Sequence, residues 1–206
     1  MNEKEYILKI YQLLDENSEK EIVFLNNKNP FQFLISVILS AQTTDRIVNI
    51  VTIELFNRFP NATSLANAEI SEVEKIIKPT GFYKVKAKNI INCSKALINK
   101  DVPNNIENLI KLPGVGRKTA NCVIGDIYHL DAVIIDTHVK RVLNRLGVVN
   151  EKDPTKIEMK VRSLLEKKYL YRFSMCVNLH GRRYCFARNP KCGDCYLNDI
   201  CLKIGV

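Results

Sequence analysis

The chain has 206 residues, 46% of them hydrophobic, with 31 Lys and Arg against 22 Asp and Glu for a net charge of +9. That is enough for one large domain or two small ones with a sizeable core, and the basic excess points to a polyanionic partner. No basic segment followed by an apolar stretch opens the chain, and the longest apolar run, 33–39, is far too short to span a bilayer, so a soluble, cytoplasmic protein is expected.

The pattern reads helical almost throughout. A charged start leads into an amphipathic stretch. Pro30 fits a first helical turn, with Phe33, Leu34, Val37 and Ile38 on one face. Asp45 is the expected N-cap of a helix running through Ile47, Ile50, Val51, Leu55 and Phe56. Ser71-x-x-Glu74 reads as a capping box for a short helix ended by Pro79 and Gly81. Helices are expected over 84–99, 105–112, 117–128, 137–146 (closed by Gly147) and 155–169. Only Val133–Ile135 reads as β, too short to carry a sheet. There is no internal repeat, low-complexity tract or long linker. The fold class is all-α.

Four cysteines lie within 17 residues: Cys185, Cys192, Cys195 and Cys201, separated by six, two and five residues. Thiolates this close can converge on one metal site, and the intervening residues are loop formers, with Pro190 and Gly193 as turn residues. Nothing between the cysteines promises a core, so the segment is expected to fold around its metal. Spacing alone leaves zinc and an iron–sulfur cluster open. A pair of disulfides would need an oxidising compartment that the chain shows no route to. From Tyr171 onward there are six basic residues and two acidic ones, and Arg188 and Lys191 lie inside the first cysteine loop, a rigid way to meet phosphates. Cys93, Cys122 and Cys176 stand alone in helical patterns and read as small buried hydrophobes.

Leu112-Pro-Gly-Val-Gly-Arg-Lys-Thr-Ala120 places a Gly-x-Gly turn directly before a helix. Gly114 and Gly116 permit positive φ or close approach of a ligand, and the turn's N–H groups with the helix N-terminus form a ready anion site. An ordinary helix–helix turn has the same glycines. Lys118 falls in the first turn of that helix, where a cation opposes the macrodipole; its neutral amine would be a nucleophile. Asp136 follows the apolar run and precedes the next helix. It fits an N-cap, or a half-buried carboxylate that stabilises developing positive charge. His138 reads as structural or phosphate-facing.

Taken in order, Ser40–Asp45, the Gly81-Phe-Tyr-x-x-Lys-Ala87 segment, the Pro-Gly-Val-Gly-Arg-Lys-Thr run, Asp136-Thr-His138, His180-Gly-Arg182 and the Cys-x6-Cys-x2-Cys-x5-Cys tail resemble the endonuclease III family of helix–hairpin–helix DNA glycosylases. The resemblance spans about 30–201. It implies two helical lobes with a DNA-binding cleft between them: a six-helix barrel carrying the hairpin, 23–131, and a cluster lobe made of 1–22 with 132–206. It moves the metal expectation to a [4Fe–4S] cluster held by the four cysteines. It implies base excision repair of oxidised pyrimidines in duplex DNA, with Lys118 attacking the sugar, Asp136 as the catalytic carboxylate, and strand cleavage by β-elimination. Gln42 matches a residue that fills the gap left by a flipped nucleotide, and Phe82 an apolar wedge, often Leu; core packing is the alternative for Phe82. Arg117, Arg182, Arg188, Lys191, Gly114, Gly116 and His138 are the further expected DNA contacts. The rival expectations are a monofunctional adenine or mismatch glycosylase, which lacks the lysine, and a non-catalytic DNA-binding protein with a zinc site. A monomer is expected.

Overall fold

The computed structural model describes residues 2–26 and 29–206. Among them are eleven α-helices, one 3-10 turn and no strand. The helices are α1 (Glu3–Glu16), α2 (Pro30–Leu39), α3 (Asp45–Arg58), α4 (Ala62–Ala66), α5 (Ile70–Ile77), α6 (Tyr83–Ala96), α7 (Ile106–Leu109), α8 (Arg117–Asp126), α9 (Thr137–Leu146), α10 (Pro154–Leu164) and α11 (Lys167–Arg183); the 3-10 turn, Lys78–Thr80, comes directly after α5. None is long and apolar enough to cross a membrane. The chain divides into two compact units, Val23–His129 and Met1–Ile22 with Leu130–Val206.

In the first unit α2 is the central helix. Asn29 caps it, its side chain accepting from the Phe31 and Gln32 N–H groups, and Pro30 occupies the first helical position without losing a bond. The apolar stripe read from sequence is too narrow: Ile35 and Leu39 are buried along with Phe33, Leu34, Val37 and Ile38, as befits a helix surrounded by others. Two caps differ from expectation. Thr44, not Asp45, caps α3, and Asp45 is the first helical residue, where its charge suits the positive helix end. Ser71 lies inside α5, which starts at Ile70 with no side-chain cap.

In the second unit Ile7, Ile10 and Leu14 of α1 pack with Val139, Val142, Leu143 and Leu146 of α9, Ile157 and Val161 of α10, and Leu170, Phe173 and Val177 of α11. Each such side chain contributes roughly 1.5–3 kcal/mol on burial. The helix expected over 155–169 is two helices, because Leu165 is extended (φ −114°, ψ 147°) and ends α10. The second of them, α11, is at 17 residues the longest helix, and the sequence pattern did not mark it. Val133–Ile135 forms no strand; it is buried irregular chain whose Val133 and Ile135 join this core. Leu197, between Cys195 and Cys201, is also a core member, so the cysteine segment is anchored to the helices by apolar packing.

Candidate active site and cluster site

Helix α7 ends and the chain turns through Pro113–Gly116 into α8. Gly114 has φ +79°, and a Cβ there would stand 2.9 Å from Asn89 Cβ and 3.2 Å from Ile38 Cγ2. Only glycine lets this turn lie on α6 and α2. Gly116 is different. Its backbone is extended (φ −94°, ψ 176°), and a Cβ would meet nothing within 4 Å. As the N-cap of α8 it supplies no side chain to the helix's first N–H groups, which leaves the positive end of α8 to other acceptors. Arg117 and Lys118 occupy that first turn and are exposed.

Asp136 caps α9: Oδ1 accepts from the Val139 N–H at 2.8 Å. Its second oxygen is also held. Oδ2 accepts from Asn178 Nδ2 at 2.7 Å, and Asn178 Oδ1 in turn accepts from Arg182 Nε at 2.7 Å. Arg182 has only donors, so it fixes which end of the Asn178 amide faces Asp136. Asn178 is only 6% exposed. Asp136 is therefore the cap of α9 and is also partly buried. His138 is lodged against α11: its Nδ1 lies 3.2 Å from Arg141 Nη2, which also donates to Gly181 O at 2.9 Å. Burial lowers the His138 pKa, partly offset by the Asp136 carboxylate. A Cβ on Gly181 would come 3.0 Å from His138 Cβ, so that glycine allows α9 and α11 to approach.

All four tail cysteines line one cavity, along with Val142, Leu146 and Leu197. Three receive N–H donors at 3.4 Å: Cys185 Sγ from Arg145 Nη1, Cys195 Sγ from the Leu197 N–H, and Cys201 Sγ from the Lys203 N–H. Donors of this kind favour thiolates. Burial, with the neighbouring cysteines, raises the Cys195 and Cys201 pKa values, so a metal held there would supply the positive charge that keeps these sulfurs as thiolates. Arg145 is buried and holds the first loop through Phe186 O at 2.5 Å and Ala187 O at 3.1 Å. The left-handed residue of that loop is Asn189 (φ +50°), and Gly193 stands in the turn that follows it. Arg188 is exposed, and Lys191 Nζ sits 5.8 Å from the Phe186 ring. Buried His180 lies 3.0 Å through Nδ1 from the Tyr196 hydroxyl and 3.6 Å through Nε2 from Cys195 Sγ, and burial lowers its pKa to about 4.

Gln42 and Phe82 sit on loops before α3 and α6. Both are exposed, Phe82 by 65%, which excludes core packing for its ring. Both have positive φ, +54° and +50°. Of the lone cysteines, Cys93 and Cys176 are buried, the Cys93 thiol being pushed up to about 12 by burial; Cys122 is only partly buried.

The HhH-GPD superfamily of base excision DNA repair proteins matches residues 35–167, and the iron–sulfur binding domain of endonuclease III matches 185–201. Endonuclease III of Synechocystis is 42% identical over 86% of this chain and 83% of its own, and that of Rickettsia conorii 38% identical over 94% and 93%. The chain belongs to the endonuclease III family. A solved structure of a trapped endonuclease III–DNA covalent intermediate superposes with a TM-score of 0.94, at 34% identity, over 98% of this chain and 97% of that one. This endonuclease III family member is a bifunctional DNA glycosylase and abasic-site lyase of base excision repair, its partner is duplex DNA, and its cofactor is a [4Fe–4S] cluster. The cluster removes the zinc alternative.

Sequence reasoning missed Asn178 and Arg145, and gave no role to Lys86 within the Gly81–Ala87 segment. A signal for Asn178 was present. It is one of the polar residues on the buried face of α11, and it stands four before an arginine. For Arg145 the structure is needed, because its partners lie about forty residues away in the chain.

Proposed function

We propose that Lys118 and Asp136 excise oxidised pyrimidines from duplex DNA and cut the strand at the resulting abasic site. The Lys118 amine attacks the deoxyribose C1′, the glycosidic bond breaks with its electron pair and a proton going to the base, and the C1′–O4′ bond then opens, the ring oxygen taking the amine's remaining proton, to leave C1′ as a Schiff base with Lys118. β-Elimination then breaks the C–O bond on the 3′ side of the lesion, and water releases the lysine. Asp136 stabilises the positive charge that develops at C1′. Lys118 belongs to one unit and Asp136 to the other. We read 23–131 as the hairpin-bearing barrel and 1–22 with 132–206 as the cluster lobe, working as a monomer on chromosomal DNA in the cytoplasm.

The observation that carries this reading is an exposed lysine on a helix start with no side-chain cap, directly after a glycine turn. A DNA phosphate suits that helix end, and Gly114, Gly116 and Arg117 would frame it. Cys185, Cys192, Cys195 and Cys201 would hold the cluster, which would pin the basic loop in place; Arg182, Arg188, Lys191 and His138 would lie toward the DNA. Gln42 and Phe82 would occupy the space left by an extruded nucleotide, a step that costs a few kcal/mol and least for a damaged base.

Single-turnover assays on a duplex with one thymine glycol test the assignment. Lys118→Ala is expected to lose strand cleavage while still binding DNA. Asp136→Asn is expected to slow base release far more than it weakens binding. Normal cleavage by Lys118→Ala would remove that residue from the mechanism.

A further inference from the structure

Lys86 is almost wholly buried, at 5% exposure. Its Nζ donates to two main-chain carbonyls rather than to a carboxylate, Leu39 O at 2.9 Å and Thr80 O at 2.8 Å. Burial lowers its pKa. A buried cation is costly unless something requires it, and the two acceptors indicate what that is. Leu39 is the last residue of α2, and Thr80 the last of the 3-10 turn. Both carbonyls are orphaned by the helix ends, where the macrodipoles concentrate negative charge.

Capping two helix ends would be a structural role. The residues just downstream of each carbonyl make it more. Three residues after Leu39 comes Gln42, and two after Thr80 comes Phe82, both exposed and both left-handed. Neither Gln nor Phe favours that region; for a bulky side chain it is strained and persists only where the surroundings hold it. Lys86 also holds Phe82 through the main chain, its N–H donating to Phe82 O at 3.0 Å. Thr80 adds a further tie, its hydroxyl donating to Ile77 O at 2.8 Å. One side chain thus joins the roots of two loops that are about 40 residues apart in sequence, each tipped by an exposed residue in a strained conformation.

We propose that Lys86 is a positioning residue for base extrusion: its ammonium locks the Gln42 and Phe82 loops in register, so that both side chains enter the duplex together when a nucleotide leaves it. The inference rests on the reading of Gln42 and Phe82 as gap-filling residues. A wedge acts only if its position is fixed beforehand, since a loop that must be ordered on binding loses that cost from the extrusion step.

The test is a double-mutant cycle with Lys86→Met, Phe82→Ala and the pair, in otherwise intact cluster-loaded protein. One readout is single-turnover excision of thymine glycol. The other is fluorescence of 2-aminopurine placed opposite a tetrahydrofuran abasic analogue, which brightens when the base is unstacked. Each single variant is expected to slow excision at least tenfold and lose the fluorescence rise, and the double variant to be no worse than the poorer single. Losses that multiply, with the fluorescence rise intact in Lys86→Met, would make Lys86 a purely structural residue and overturn the inference. Unchanged excision and fluorescence in Phe82→Ala would overturn the wedge reading itself, and the inference with it. If Lys86→Met fails to fold, Lys86→Gln keeps an amide donor for one of the two carbonyls; wild-type fluorescence and excision in that variant would equally refute the lock.

Discussion

Replacing Asn178 by leucine isolates what holds the Asp136 carboxylate. The native amide donates to Oδ2 at 2.7 Å while the α9 backbone occupies Oδ1 at 2.8 Å, so the carboxylate is fixed at both ends. Leucine has similar bulk, and the site is buried, so the packing of α11 should survive. Loss of a hydrogen bond to a charged group is worth about 1.5–3 kcal/mol. If the bond serves to aim the carboxylate at the developing charge, that energy is lost in the transition state, and base release slows about ten- to a hundredfold at roughly 1.4 kcal/mol per factor of ten. Binding should not change in step, because Asp136 is asked to act on charge that appears only as the glycosidic bond breaks. The assay is single-turnover release of thymine glycol, with Kd measured on a duplex holding a non-cleavable abasic analogue and folding checked by thermal melting. Wild-type base release by Asn178→Leu would refute the orientation argument; equal losses in rate and binding would make Asn178 a packing residue.

Other expectations come from the same geometry. Gly116→Ala is allowed by its backbone and by the open space around it, so the melting temperature should stay unchanged while DNA affinity falls; equal affinity would show that no phosphate approaches there. Gly114→Ala must instead displace Asn89 or Ile38 and should lower the melting temperature. Leu197→Ala removes a core side chain from the cysteine segment and should cost about 2–5 kcal/mol, together with faster bleaching of the cluster's visible absorbance. Arg188→Ala, at an exposed position, should flatten the salt dependence of DNA binding by about 0.9 for each phosphate the side chain had neutralised; an unchanged slope would place Arg188 off the DNA.

Much of this could be read from residue order because local chemistry decided it. The α9 helix with Asp136 before it and Gly147 after it is written in a capping side chain and a glycine that reaches φ +77°. The same local rules misplaced the start of α3, where Thr44 and Asp45 are both competent caps and only the backbone chooses between them. They also misread Val133–Ile135, whose β-branched side chains serve a helical core with no strand beside them. Helix α11 escaped because its first half carries tyrosines, arginine and lysines that blur the apolar stripe, and because its end runs directly into the cysteine segment. The site residues named from sequence were those with a motif around them. Asn178 and Arg145 carry none, and Lys86 stands inside the Gly81–Ala87 segment without a role that the segment itself reveals. Their partners lie 42, 40 and 47 residues away in the chain, and such pairings exist only once the helices have packed.

The most direct measurement is borohydride trapping on a duplex containing one thymine glycol. A covalent protein–DNA adduct in the native protein that is absent in Lys118→Ala is the predicted result, since only an imine between Lys118 and the sugar can be reduced to a stable bond. No adduct in the native protein, or an adduct that persists in Lys118→Ala, would contradict the account.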